Sequence, residues 1–247
     1  MTKQKIIGLA LCNVLGIALF LSWDLPPLHG FWYVPDCDIF FLFNHWIATS
    51  EAFYYFVAFT NLRPFDAVAF LFMLGIFCYH YRRQDANGRR WMIAMGLTMV
   101  VAIIIEKQFD MAMNFHRPSP TKYFLDAGVP VVKVSELTGW PAKDYAGASF
   151  PGDHGMMLLI FTCFMLRYFG KKTFFACLAV FVAFSLPRMM SGAHWMTDVV
   201  VGAGSIACVV LSWMLLTPMS DWIIGWFMKH MPLGKLGRTF AANNHKN

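Results

Sequence analysis

Residues 6–23, IIGLALCNVLGIALFLSW, run for eighteen positions without a charge. At about 1.5 Å of rise per residue, a helix of that length comes close to crossing the roughly 30 Å hydrocarbon core of a bilayer. Further long apolar stretches follow at about 63–81, 90–109, 153–169, 173–188 and 196–217. In lipid every backbone N–H and C=O must be satisfied within the protein, and runs of this length do so as helices. The expected fold is an all-α integral membrane protein with six transmembrane helices, about 5–23 being the first. Composition agrees: 58% of residues are hydrophobic and 14% charged, against roughly a quarter charged in soluble domains. One transmembrane domain over 1–247 is expected.

Two stretches need a decision. The basic start and apolar run resemble a signal peptide, but Ser-Trp-Asp-Leu-Pro-Pro after it is a poor cleavage site, so a retained first helix is expected. Residues 36–61 are apolar and aromatic yet interrupted by Asn44, His45 and Glu51, which favours helices lying at the interface over a further span. The six cysteines form no CxxC pair and imply no disulfide framework.

Orientation follows from the bases. The N-terminus, YRRQDANGRR, RYFGKK and the C-terminal tail hold 13 of the 20 Lys and Arg. With six spans all four fall on one side, which is therefore cytoplasmic, with both termini there. The net charge of +6 reads as loop orientation and attraction to anionic lipid, not as a nucleic-acid partner. The opposite side receives a connection of some forty residues, about 110–152, long enough to expect function from it.

Three polar clusters lie at outer ends of the spans. They are FHRPSP with Arg117, SFPGDH with His154, and RMMSGAHWMTD with Arg188, His194 and Asp198. His194 and Asp198 are i and i+4, so a carboxylate can take the proton of one ring nitrogen and leave the other as a nucleophile. Arg117 and Arg188 are permanent cations with planar forks suited to phosphate oxygens. The Pro-Gly turn before Asp153 opens a helix, so Gly152 and Asp153 are expected to offer backbone N–H groups to an anion. His154 is placed to give or take a proton. Together they make a phosphate site with a covalent histidine intermediate. No acids are spaced for a divalent metal, so metal-independent chemistry without a cofactor is expected. Of the other histidines, His29, His45, His80 and His116 read as interface residues, and Glu106 is expected to pair with its neighbour Lys107. Lys122, Lys133 and Lys143 on the long loop are candidates for attracting an anionic substrate.

These residues resemble the signature of the type 2 phosphatidic acid phosphatase (PAP2) superfamily of integral lipid phosphatases. There the pattern is Lys-x6-Arg-Pro, then Pro-Ser-Gly-His, then Ser-Arg-x5-His-x3-Asp, and the resemblance covers roughly 60–215, including a six-helix core. It implies that Arg117 and Arg188 bind phosphate, that His194 is phosphorylated with Asp198 orienting it, and that His154 is the general acid. Three positions depart. Asp110 stands where the family has lysine, with Lys107 three residues earlier as a substitute cation; Pro187 replaces the third-motif serine; Gly152-Asp153 replaces Ser-Gly. A site short of a cation and a hydroxyl is poorer at stabilising an isolated phosphoryl group, which argues against a simple phosphatase. The blend of SFPGDHGMMLLIF, GAHW and HGFW is similar to one branch, inner-membrane phosphotransferases of Gram-negative bacteria. These move the terminal phosphate of undecaprenyl diphosphate onto the 1-phosphate of lipid A, and the likeness implies that substrate pair. The alternatives are a lipid phosphate or undecaprenyl diphosphate phosphatase facing the periplasm, and a non-catalytic lipid-phosphate carrier.

Overall fold

A computed structural model describes residues 1–113 and 115–231, with the side chains of 109, 110, 112 and 113 outside the description. The Asp110 side chain and most of the basic C-terminal tail therefore lie outside the description. All regular structure among the described residues is helical, with no strand. Five helices are long and apolar enough to cross a membrane. They are α1 (Lys3–Asp24), α4 (Arg63–Arg82), α5 (Ala86–Met113), α8 (Asp153–Met190) and α9 (Asp198–Leu216). Between them lie α2 (Tyr33–Thr49), α3 (Glu51–Thr60), α6 (Pro120–Asp126) and α7 (Val134–Thr138), and α10 (Met219–His230) follows.

Local chemistry explains most boundaries. Thr2 and Ser119 accept a backbone N–H from the first turns of α1 and α6, removing orphan donors that a helix start leaves unpaired. Ser50 does the same for α3 after breaking the chain from α2. The ambiguous stretch thus becomes two helices of 17 and 10 residues, neither among the five long enough to cross.

The two stretches read as 153–169 and 173–188 form one 38-residue helical run. It is interrupted at Gly170, whose φ of 80° and ψ of −174° are open to glycine and closed to other residues. The limbs fold back on each other there. His154 at one end and Arg188 at the other both reach Asp66 on α4, while at the bend His80 of α4 meets Thr173 at 3.0 Å.

The core between α5, α8, α9 and α10 is built from Met92, Met95, Phe164, Met165, Met214 and Ile224, all within 1% exposure. Methionine suits this place because its flexible thioether fills gaps between helices that cannot interlock more regularly. α1 crosses α9 closely: a methyl group on Gly16 would come within 2.9 Å of the Ser205 carbonyl oxygen, the small-residue contact by which helices pack in lipid. Outward faces are apolar, as at Phe70, Leu71 and Phe72, and α4 buries none of its residues. α9 is the central helix; it is mostly buried and partly wound as π-helix over Asp198–Ala203 and Ala207–Leu211.

The bundle has two chemically distinct ends. At one, Tyr168 bonds Ser220 at 2.8 Å, Arg90 bonds the Met228 carbonyl at 3.3 Å and Arg167 the Leu215 carbonyl at 3.0 Å. At the other, the loops and short helices of 25–62 and 115–152 close over the ends of α4, α8 and α9.

Candidate active site

At this second end the three polar clusters are laced together through backbone. Ser149 donates its N–H to the Arg117 carbonyl at 2.8 Å. The Ser149 carbonyl lies 2.9 Å from His194 Nδ1. The N–H groups of Ala193 and His194 both return to the Arg188 carbonyl at 3.1 Å. Glycine is required where these turns pack. Gly152 has φ +86°, and a methyl group there would meet the Asp198 carbonyl oxygen at 3.3 Å. One on Gly202 would sit 2.7 Å from Pro151 Cα. The Pro-Gly turn therefore rests directly on the backbone of α9, which carries Asp198.

His194 is 7% exposed. Its Nδ1 faces two acceptors, the Ser149 carbonyl and Asp198 Oδ2 at 3.3 Å. A ring nitrogen between two acceptors carries the proton, so Nε2 holds the lone pair. Nε2 is buried and has no hydrogen-bond partner. The Asp198 carboxylate is itself fully committed: Oδ2 also accepts the Trp195 N–H at 2.9 Å, and Oδ1 accepts from Arg117 at 3.2 Å. The tautomer is thus set by a carbonyl as much as by the carboxylate that the i, i+4 spacing suggests.

His194 lines a cavity of about 300 Å³ together with Lys107, Lys143, His116, Asp153 and His154. Lys107 and Asp153 pair across it at 2.9 Å, both about half exposed. The expected Glu106–Lys107 pair does not form, because adjacent residues on a helix point about 100° apart. Glu106 is 1% exposed and neither carboxylate oxygen has a partner. Lys143 stands with a lowered pKa, first because its ammonium is desolvated and then because Arg188 presents a like charge.

Arg117 and Arg188, both read as phosphate ligands, are not among the residues that line this cavity. Arg188 is 4% exposed and held by Asp66 and by Asn61 Oδ1 at 3.3 Å. Its fork is next to His154 through their shared Asp66. Arg117 donates to Asp36 at 2.8 Å, Thr197 at 2.7 Å and Asp198 at 3.2 Å, and lies 4.4 Å over the Trp195 ring. It lines a neighbouring cavity of about 270 Å³, as do His29 and His116. The histidines read as interface residues divide accordingly: His29 and His116 line cavities, and His80 bonds Thr173.

Three residues absent from the sequence reading organise the site. Asp36, 1% exposed, accepts the Thr197 N–H at 3.0 Å and the Thr197 hydroxyl at 2.5 Å besides holding Arg117. Asp66 joins His154 to Arg188. Asn61 donates to the Pro187 carbonyl at 2.9 Å and accepts from Arg188 and from the Ser191 hydroxyl. A carboxylate set in or one turn inside an apolar run is costly unless a cation or hydrogen-bond donor meets it; that signal marks Asp36 and Asp66, though Glu106 carries it without a partner. Asn61 carries no comparable mark.

The arrangement offers one free imidazole nitrogen, a second histidine oriented by a carboxylate, and cations on the wall. That is the equipment for transferring a phosphoryl group through nitrogen.

Comparison with known proteins places the chain in a family. Residues 110–223 match the PAP2 superfamily. The chain is 45% identical over 225 residues to lipid A 1-diphosphate synthase of Escherichia coli (strain K12), covering 91% of this chain and 93% of that protein. No solved structure matches. With a relative this similar along nearly its whole length and the superfamily match over the segment that carries His154, Arg188, His194 and Asp198, the chain belongs to the PAP2 superfamily.

Proposed function

We propose that this protein is a lipid phosphotransferase that moves the terminal phosphate of undecaprenyl diphosphate to the 1-phosphate of lipid A, through a phosphohistidine at His194. The carrying observation is the state of that ring: Nδ1 is held as donor by two acceptors while Nε2 is unpartnered, on a residue that lines a polar cavity. The 45% identity to a lipid A 1-diphosphate synthase supports the acceptor.

In the first half-reaction His194 Nε2 attacks the terminal phosphorus. An N–P bond forms as the P–O bond to undecaprenyl phosphate breaks. That leaving group is a phosphate monoester, so His154 has only a modest task as proton donor. In the second half an oxygen of the lipid A 1-phosphate, its proton taken by His154, attacks the same phosphorus and Nε2 regains its lone pair. Lys107 and Lys143 balance the charge brought in by phosphate. Asp66, tied to both His154 and Arg188, keeps acid and cation in register. Arg117 acts through Asp198 as a positioning residue. Transfer prevails over hydrolysis when the bound acceptor displaces water from the cavity.

The bundle is a single domain that crosses the inner membrane six times, the two limbs of α8 counting separately, with α2 and α3 lying at the periplasmic face. Arg82, Arg83, Arg89, Arg90, Arg167, Lys171 and Lys172 all belong to the end remote from His194, which supports cytoplasmic termini and a periplasmic site. The test is incubation with undecaprenyl diphosphate labelled in its terminal phosphate, with and without lipid A. Label on lipid A is expected; label only in free phosphate would make the protein a phosphatase.

A further inference from the structure

We propose that the cavity beside that of His194 is the acceptor subsite and that it takes a phosphorylated sugar ring. This rests on the phosphotransfer reading above. The two cavities share Phe115 and His116 as a common wall. The second is otherwise faced by His29, Tyr33, Tyr123, Trp195 and Arg117, and among the described residues no carboxylate lines it.

The reaction itself calls for two kinds of wall. Both substrates bring a phosphate to one imidazole in turn, and they differ in what the phosphate is attached to. A prenyl chain needs only apolar surface, which the lipid-facing helices supply. A sugar ring needs flat faces and neutral hydrogen-bonding groups, and rejects neither. The neighbouring cavity has both. The Tyr33 and Tyr123 hydroxyls stand 3.5 Å apart, and either can donate or accept. His29 is stacked on Trp23 at 4.2 Å, its Nδ1 3.2 Å from the Trp23 carbonyl. The Trp195 indole N–H is fixed on the Pro118 carbonyl at 2.8 Å, and Arg117 covers its ring. Trp195 is held by Pro118 and Arg117, the two tyrosines by each other and His29 by Trp23, so these walls are formed before a ligand arrives, which lowers the cost of binding. A ring seated here would place its phosphate past His116, in the cavity of His194.

The test is the double variant Tyr33→Phe/Tyr123→Phe, which keeps both rings and removes both hydroxyls. The KM for lipid A is expected to rise about tenfold, while acceptor-free phosphorylation of His194 changes by less than about twofold. As a second measurement, glucosamine 1-phosphate and inorganic phosphate are compared as competitors of transfer. Glucosamine 1-phosphate should inhibit the unaltered protein more strongly than phosphate does, and lose that advantage in the variant. An unchanged acceptor KM, or equal inhibition by the two probes, overturns the subsite while leaving the phosphotransfer reading in place. Failure of the unaltered protein to phosphorylate His194 overturns that reading, and the subsite with it.

Discussion

The Asp66 carboxylate lies 3.3 Å from His154 Nε2, and its other oxygen holds Arg188. One side chain from the first turn of α4 thus couples the proposed proton donor to a buried cation 122 positions away in sequence. Asp66→Asn keeps the shape and removes the charge that orients both. Turnover is expected to fall by about a hundredfold, the usual scale for losing a positioned acid or base, with a smaller change in KM. Steady-state kinetics check this; unaltered kcat would remove Asp66 from the mechanism.

Asp36 has a different role. It is buried with Arg117 and takes two bonds from Thr197. Asp36→Ala leaves a guanidinium that is 10% exposed without its main partner. The expected loss of stability is about 3–5 kcal/mol, read as a lowered unfolding temperature in detergent.

How the site was legible in sequence follows from these two acids. Arg117, His154, Arg188, His194 and Asp198 stand in recognisable spacings, and backbone bonds from Ser149 and Arg188 do bring their segments together. The helices were legible because lipid admits few alternatives to a long apolar run. Orientation of the side chains was not. A shared position at the outer span ends predicts that the segments of Arg117 and Asp198 converge but says nothing of Asp36, which comes from α2 and holds that arginine outside the cavity of His194. Long-range partners such as Asp66 and Asn61 depend on packing between helices, which no local pattern records. The Glu106–Lys107 expectation failed for a simpler reason, since neighbours on a helix do not face each other.

Glycine at two positions separates packing from propensity. Gly202→Ala would push a methyl group to within 2.8 Å of the Pro151 carbonyl oxygen and 2.7 Å of its Cα. Loss of both stability and turnover is expected, because the Pro-Gly turn carries Asp153 and His154. Gly75 meets nothing within 4 Å, so Gly75→Ala should be neutral or stabilising by up to about 1 kcal/mol. Paired thermal unfolding and activity measurements distinguish them; equal effects would contradict the close packing at Pro151.

Lys143 predicts a pH dependence. Its pKa is lowered from 10.5 by desolvation and by Arg188. Its charge is therefore lost at lower pH than for an ordinary lysine, and affinity for the acceptor phosphate should weaken as pH rises through that value. The stability effect has the opposite sign. Between the lowered value and 10.5 the unfolded chain binds more protons, so this residue's contribution to stability rises with pH. Lys143→Arg keeps the charge and should flatten the alkaline rise in KM. Superimposable KM profiles for the two proteins would exclude Lys143 from phosphate binding.

The central claim is covalent, and the direct measurement is to find the covalent group. The protein is incubated with undecaprenyl diphosphate labelled in its terminal phosphate, denatured under alkaline conditions that preserve phosphohistidine, digested and mapped by mass spectrometry. Label is expected on the peptide bearing His194, absent from His194→Asn, and discharged onto lipid A when the acceptor is added before denaturation. Transfer to lipid A at an undiminished rate with no label ever trapped on His194, or by the His194→Asn protein, would contradict the account.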